Sequence, residues 1–427
     1  MTEDFIHYLW KFKKFDVFSA QTQQGEKLEI IHVGWHNQEE SGPDFFNAKI
    51  KIGEQLWAGN VEIHLKASDW YQHQHQNDSA YDNVILHVVW EDDVEIYRKD
   101  NSILPSLELK EITHLQAKKS YENLLYQPKQ FINCEYAFSD FDKFQILSWL
   151  ERVFIERLET KSKLIIDLLE KSNNDWEAVF FALLAKNFGL NVNGTSFLSM
   201  ANSIDFSVVR KISNRKQSLE ALFLGQAHLL AKPNAHNYVK QLQQEYGYLK
   251  NKFQLDNTAV VTPKFFRLRP PNFPSIRLAQ LASLYAQNTD LFNQVIHLNS
   301  PLKVKKLFHV ELSEFWKTHY SLTKESKATN KQLSKSFINL IIINTIVPVQ
   351  FSFAKFTANY ELQQKTIDLM VQVQPEVNKY TKGFTKLCAD IPENAMQSQA
   401  LIQLKKNYCD VNNCLQCNLG IQLIGKK

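Results

Sequence analysis

The chain has 427 residues and a mass of 49.8 kDa, more than one ordinary domain holds, which points to two or three. A hydrophobic share of 44% with 22% charged residues excludes a chiefly disordered chain and a multi-span membrane protein. The net charge of +4 is a sum of opposites: residues 1–130 hold 13 Lys+Arg against 21 Asp+Glu, and residues 131–427 hold 36 against 24. An acidic segment precedes a basic one, an asymmetry that bears on partners.

Residues 3–15 read as an amphipathic segment. Strands follow. Lys27–Val33 and Phe45–Ile52 alternate apolar and polar residues, with Ala48, Ile50 and Ile52 on one face, and Leu56–Lys66 alternates again. Gly53-Glu54 between them predicts a hairpin. Asn83–Trp90 is nearly all apolar, as a strand covered on both faces would be, and Leu104–Leu109 closes the module near residue 115. From about residue 140 the period becomes helical, in Phe144–Leu169, Trp176–Phe188, Gln217–Leu230, Ile276–Tyr285 and Lys335–Ile346. The apolar run Phe337–Ala354 is interrupted by Asn339, Asn344, Pro348 and Gln350, so it reads as a buried core helix ending near Pro348, not a membrane span. The opening MTEDFIHYLW has acids where a signal peptide carries Lys or Arg, and a cytoplasmic location is expected. The predicted class is α+β: a mixed α/β module over 1–128, a basic helical region over 129–384 and a cysteine-rich segment over 385–427.

Seven of the 13 histidines lie before residue 88, beside a dense set of carboxylates. Period two puts Glu62, His64 and Lys66 on one strand face, and a hairpin at Gly53 brings Asp44 opposite residues 63–65. Two carboxylates with an imidazole and an ammonium are groups that hold a divalent cation and steady a developing negative charge. Taken singly, each is also an ordinary solvated residue, and the strand-embedded His87 an ordinary core histidine.

Pro43-Asp44 followed by Glu62-Ile63-His64 resembles the PD-(D/E)XK nuclease superfamily. The resemblance implies a restriction-endonuclease-like α/β core. Asp44 and Glu62 would bind Mg²⁺ or Mn²⁺, with His64 in the usual lysine's place and Lys66 as its substitute. A second run, His73-x-His75-x-x-Asp78, is similar to the metal-binding run of metallo-β-lactamase-like hydrolases, though Asn77 and Asp78 break its register. It makes His73 and His75 outer ligands or substrate contacts, or, with His87, the ligands of a zinc hydrolase. Over its whole length the chain resembles the domain-of-unknown-function family 2851 of bacterial proteins, in the strings SGPDFFNAKIKIG, WAGNVEIHLKASDW, YDNVILHVVW and RPPNFPSIRLAQLA and in the cysteine-bearing tail. That family carries no activity over.

In the basic region, Arg267, Arg269 and Arg277 stand among aromatics and prolines, with Pro274 suited to a helix's first turn. They read as a phosphate clamp for nucleic acid or as arginines paired with the acidic module. Cys388, Cys409, Cys414 and Cys417 have the composition of a Cys₄ site for Zn²⁺ or an iron–sulfur cluster, and Cys134 reads as a core or linker thiol. The leading expectation is a metal-dependent phosphodiesterase acting on DNA or RNA. The alternatives are a non-catalytic nucleic-acid-binding or scaffold protein on a degenerate nuclease fold, and the zinc hydrolase.

Overall fold

The structure is a computed structural model that describes residues 1–37, 41–126, 128–129 and 131–425. Helix α1 (Glu3–Phe12) buries Phe5, Ile6, Leu9 and Trp10 along one stripe and stops at Lys13, whose left-handed φ of 49° returns its N–H to Leu9 and Trp10 carbonyls. Burying side chains of this size contributes about 1.5–3 kcal/mol each. The stripe packs against a mixed sheet. Its strands are β1 (Leu28–His32), β2 (Trp35–His36), β3 (Phe45–Ile52), β4 (Gln55–Lys66), β5 (Val84–Glu91) and β6 (Ser106–Glu108), in spatial order β1-β3-β4-β5-β6 with β2 on the end of β3. β1–β3 and β3–β4 are antiparallel, and β4–β5 and β5–β6 are parallel. The hairpin turns at Gly53, with φ 58°.

The register is not uniform. Ile52 pairs with Gln55 and Ala48 with Gly59, but Phe45 pairs with Val61, so an extra residue is accommodated around Asn47, whose φ is 56°. This bulge moves Asp44 one place along β4, toward Glu62. The expected Phe45–Ile52 alternation is therefore broken once, and Phe45, Ala48, Ile50 and Ile52 are all buried.

Parallel strands need a crossover, and the β4–β5 crossover is short: α2 (Asp69–Gln72), then one-turn helices at His75–Asn77 and Ser79–Tyr81. It covers one face of β4 and β5 through Trp70, while Val61, Ile63, Leu86 and Val88 on the other face join the core under α1. Gly59 lets β5 come close, since a Cβ there would lie 2.4 Å from Ile85 Cγ2.

The chain divides into two compact units, Met1–Trp149 with Lys405–Lys427 and Leu150–Leu404. The boundaries expected at 128/129 and 384/385 fall inside these units. The tail belongs with the N-terminal module: Lys129 Nζ and Asn133 Nδ2 both donate to Asn412 Oδ1, at 2.8 and 3.1 Å. In the first unit α3 (Leu115–Tyr126) packs against the helix Asn418–Gly425.

The second unit is helical, as expected, with Trp176–Phe188, Leu190–Asn202, Lys216–Gln226 and Pro274–Gln287 among its core helices. Its apolar segment does not end at Pro348. The helix Lys335–Ile341 continues through a π turn, Ile342–Ile346, into Val347–Phe356, with Pro348 in the first turn of that last piece. Re-spacing by the π turn accommodates a residue that has no N–H to give. Among the described residues this is the one helix long and apolar enough to cross a membrane, and 78% of its most apolar window is buried within the protein.

Candidate functional site

Even-numbered residues of β4 carry the chemistry. Glu62 and His64 point to the face covered by the crossover, and in the parallel register Glu62 pairs with His87. His64 Nδ1 lies 2.8 Å from His87 Nε2, and His64 Nε2 lies 3.0 Å from His73 Nδ1. The crossover brings His73 and His75 over this face because α2 and the turn after it reverse the chain within a few residues. His75 stacks on Tyr81 at 3.8 Å between centroids, and its Nε2 stands 3.4 Å from Glu62 Oε1, with His64 Nε2 at 3.6 Å from the same oxygen.

Asp44 arrives from the bulged end of β3. Its N–H donates to Glu62 Oε2 at 3.2 Å, and its Oδ2 accepts from the Ile63 N–H at 2.9 Å. The same Oδ2 is 3.3 Å from His7 Nε2 on α1. Asp44 therefore does not point into a dry core; it meets Glu62 at the edge of the histidine group.

Burial sets the electrostatics. Glu62 and His64 are 5% and 2% exposed. Desolvation, reinforced by the charge of Asp44, holds the Glu62 carboxyl well above the ordinary carboxylate range. Desolvation pushes His64 down to about 3, helped by its neighbours His75 and His73, and it lowers His75 as well. His87 is driven far down by complete burial. At neutral pH these three imidazoles are uncharged lone-pair donors, the form that ligates metals. His7 behaves oppositely: burial lowers it, but the hydrogen bond and charge of Asp44 prevail and raise it. His36, stacked on Phe45, is brought down to about 4 by burial.

One ring nitrogen from each of His64, His73 and His75 lies within 4.8 Å of the others, so this group could hold a metal ion. The buried Nε2 of His75 and Nδ1 of His87 have no hydrogen-bond partner. Three imidazoles and a carboxylate are donors for a borderline cation such as Zn²⁺; Mn²⁺ is harder but accepts imidazole more readily than Mg²⁺, which prefers oxygen ligands and retained water.

Asp44, Glu62, His64, His73 and His75 are thus brought together. Lys66 is not among them: it is exposed at the end of β4, where its charge bears on Asp93. Arg267 and Arg269 are exposed residues of the second unit. Arg277 belongs to no exposed clamp: it is 5% exposed, bonded to Gln280 and Asn272, and its guanidinium lies 3.6 Å from the Phe337 ring centroid. Cys388 is a residue of the second unit, whereas Cys409, Cys414 and Cys417 are in the first, with Cys134 beside them.

The pattern reading missed Glu3 and His7. They stand four apart on α1, hence on one helix face, and both feel the Asp44 charge. That spacing was the available signal, hidden because α1 reads simply as amphipathic.

A family model described as a protein of unknown function, DUF2851, matches residues 3–379. The chain belongs to the DUF2851 family. The match takes in both the sheet that carries the histidine group and most of the helical unit, so the site is part of what the DUF2851 model spans. No curated protein and no solved structure matches the chain.

Proposed function

We propose that this DUF2851 protein is a metal-dependent hydrolase of the phosphodiesterase class, acting on nucleic acid through a single divalent cation. The observation that carries the reading is the meeting of Glu62 with His64 and His75 at 3.6 and 3.4 Å, with His73 closing the group. Asp44, just before β3, and Glu62 on the neighbouring β4, the positions that resemble the nuclease motif, are joined by the bond from the Asp44 amide to the Glu62 carboxylate. The donor set favours Mn²⁺ or Zn²⁺ over the Mg²⁺ that the resemblance alone implies.

The residues divide the work. Glu62, His64, His73 and His75 would hold the ion, which when bound supplies Lewis acidity toward a phosphoryl oxygen and a more acidic water. Were Nε2 of His64 to hold the ion, its Nδ1–H would donate to His87 Nε2, 2.8 Å away, and His87 would fix the tautomer and the ring plane. Asp44, anchored by the Ile63 N–H and facing His7, is placed to accept a proton from an attacking water, with His7 steadying its charge. His73, the exposed member of the group, marks the side open to substrate. Arg267 and Arg269 are exposed on the second unit, and by chemistry alone they suit phosphate contacts made by that unit.

Protein loaded separately with Mn²⁺, Zn²⁺ and Mg²⁺ is to be assayed on single- and double-stranded DNA and RNA. Cleavage is expected with Mn²⁺ or Zn²⁺ and should be abolished by Glu62→Gln and by Asp44→Asn. Lack of cleavage with every ion, despite measured binding of that ion, would remove the phosphodiesterase reading.

A further inference from the structure

The sheet face that carries Glu62 and His64 does not end at the crossover. Along β4 it runs back through Asn60 and Ala58 to Leu56. Strand pairing extends it sideways. Ala58 stands opposite Lys49 and Leu56 opposite Lys51 on β3; Lys49 in turn faces His32 on β1, Lys51 faces Glu29, and Phe46 faces Trp35 on β2. The crossover covers the β4–β5 part through Trp70. Over β1, β2 and the hairpin end of β4 the face is open among the described residues: Trp35 is 69% exposed and Leu56 59%, and His32, Lys49 and Ala58 are exposed with them. Phe46 joins the two parts. A Cβ on Gly42 would lie 3.8 Å from the Phe46 ring and 3.9 Å from the Ala80 methyl, so Phe46 sits at the margin of the turn whose Tyr81 stacks on His75.

Trp35 is held outward by its own turn. Gly34, at φ 97°, leaves no room for a side chain, since a Cβ would lie 2.8 Å from the Phe46 carbonyl oxygen. Its N–H donates to His32 Nδ1 at 3.1 Å, and the His32 and Trp35 rings lie 5.6 Å apart. Lys51 is shared with Glu54 of the hairpin turn at 3.6 Å, whereas Lys49 pairs with no carboxylate among the described residues. An exposed ring beside an unpaired ammonium on a sheet is the composition on which unpaired bases stack while their phosphates meet the cation. A protein partner fits less well, because protein interfaces are depleted in lysine. A duplex fits less well too, since its bases cover one another's faces and offer only edges.

The histidine group makes the same selection. Glu62 and His64 are buried beneath the crossover, with His73 the exposed member, and a flexible single strand can bring a phosphate to such a recess more readily than a stiff duplex. Trp35 lies two strands from β4, about 10 Å, which a few nucleotides span. We infer that this open face seats single-stranded nucleic acid, its bases against Trp35 and Phe46 and its backbone along Lys49. That makes a single strand the substrate of the histidine site, a step that rests on the phosphodiesterase reading.

Protein held with a metal chelator, so that no probe is cut, is to be titrated into short labelled single strands of DNA and of RNA and into the duplex of the same sequence, with fluorescence anisotropy as the readout. Single strands should bind at least about tenfold tighter than the duplex, and Trp35→Ala should weaken them about tenfold, the loss of one stacked base. Trp35→Phe keeps a ring and should stay within about threefold. Lys49→Ala should lower the salt slope by about 0.7. Both residues are exposed, so an unaltered melting temperature is expected of each variant. Equal affinity for duplex and single strands, no binding of any strand, or Trp35→Ala protein that binds single strands as the parent does would overturn the inference. Loss of a dimer in Trp35→Ala, seen by sedimentation velocity, would give the face to a second copy instead. Trp35-dependent binding in a protein that cleaves nothing with any ion keeps the seat and removes the phosphodiesterase reading. Cleavage indifferent to Trp35 keeps that reading and removes the seat.

Discussion

Arg277 separates two kinds of arginine that look alike in the sequence. Its guanidinium is buried, its Nη1 is 2.9 Å from Gln280 Oε1, its Nη2 is 2.6 Å from Asn272 Oδ1, and it lies 3.6 Å from the Phe337 ring centroid. Burial brings it down to about 10, so it stays charged at neutral pH. Two charge-assisted hydrogen bonds are worth about 1.5–3 kcal/mol each and the ring contact about 0.5–2, against which desolvation of the cation must be set. Arg277→Ala, which also takes the arginine donors from Gln280 Oε1 and Asn272 Oδ1 and opens a cavity, should destabilise the second unit by about 3–5 kcal/mol. In a unit of this size that is roughly 10 °C of melting temperature. Arg277→Met keeps the volume and the ring contact and sheds the desolvation penalty, so about 1–2 kcal/mol is expected. Exposed Arg267 and Arg269 should behave in reverse. Replacing each by Ala should change stability by less than about 0.5 kcal/mol while reducing the salt slope of nucleic-acid binding by about 1. Urea titrations and fluorescence anisotropy across a salt series measure both quantities. If Arg277→Met leaves stability intact and weakens binding as much as Arg267→Ala, the buried arginine is a ligand contact and the reasoning fails.

Mn²⁺ or Zn²⁺ at about a hundred times its dissociation constant should stabilise the first unit by about 2.7 kcal/mol, and His64→Asn should remove that gain in a thermal melt. Gly59→Ala should destabilise the same unit by about 2–3 kcal/mol, because the new Cβ meets Ile85 Cγ2 at 2.4 Å and the Asn83 carbonyl at 2.6 Å; unchanged urea midpoints would contradict it. In the second unit, burial raises Glu220 despite hydrogen bonds from Tyr238, Ser313 and Trp316. The folded state then holds its proton more tightly than the unfolded chain. Its contribution to stability is complete below the unfolded carboxyl value of about 4.3 and is lost as pH rises through the folded value. Glu220→Gln should flatten that decline, and equal slopes in urea titrations between about pH 4 and 8 would argue against it.

Local order was legible and closure was not. Period two put Glu62 and His64 on one face, and the hairpin was set by Gly53 because few residues tolerate its positive φ. His73 and His75 were visible as a pair, but nothing in their spacing says that a short parallel crossover folds them over β4, since parallel pairing is a long-range choice. The cysteines show the same limit. Nearness in sequence grouped Cys388 with the tail, while the fold assigns Cys388 to the second unit and the other four cysteines to the first. Arg277 looked like a surface residue because charge is usually solvated. Its partners, Gln280 one helical turn on and Phe337 far along the chain, are supplied only by packing.

The bulge at Asn47 decides whether the two carboxylates meet. With unbroken pairing from Ile52–Gln55, Asp44 would stand across from Ile63, on the alternate face from Glu62. The extra residue moves it one place, and the Asp44 N–H then reaches Glu62 Oε2 at 3.2 Å. The bulge depends on Asn47 adopting a φ of 56° while its N–H donates to Asn60 Oδ1 at 3.3 Å. Asn and Gly accept that conformation readily, and a β-branched residue is strained there by about 1–2 kcal/mol. Asn47→Gly should therefore leave metal affinity within about twofold of the unaltered protein. Asn47→Val should either lower the stability of the first unit by that strain or escape it by shifting register, and a shift separates Asp44 from Glu62. Calorimetric titration with Mn²⁺ and a thermal melt distinguish the two. An Asn47→Val protein with unaltered melting temperature and unaltered Mn²⁺ affinity would mean that the bulge does not position the carboxylates.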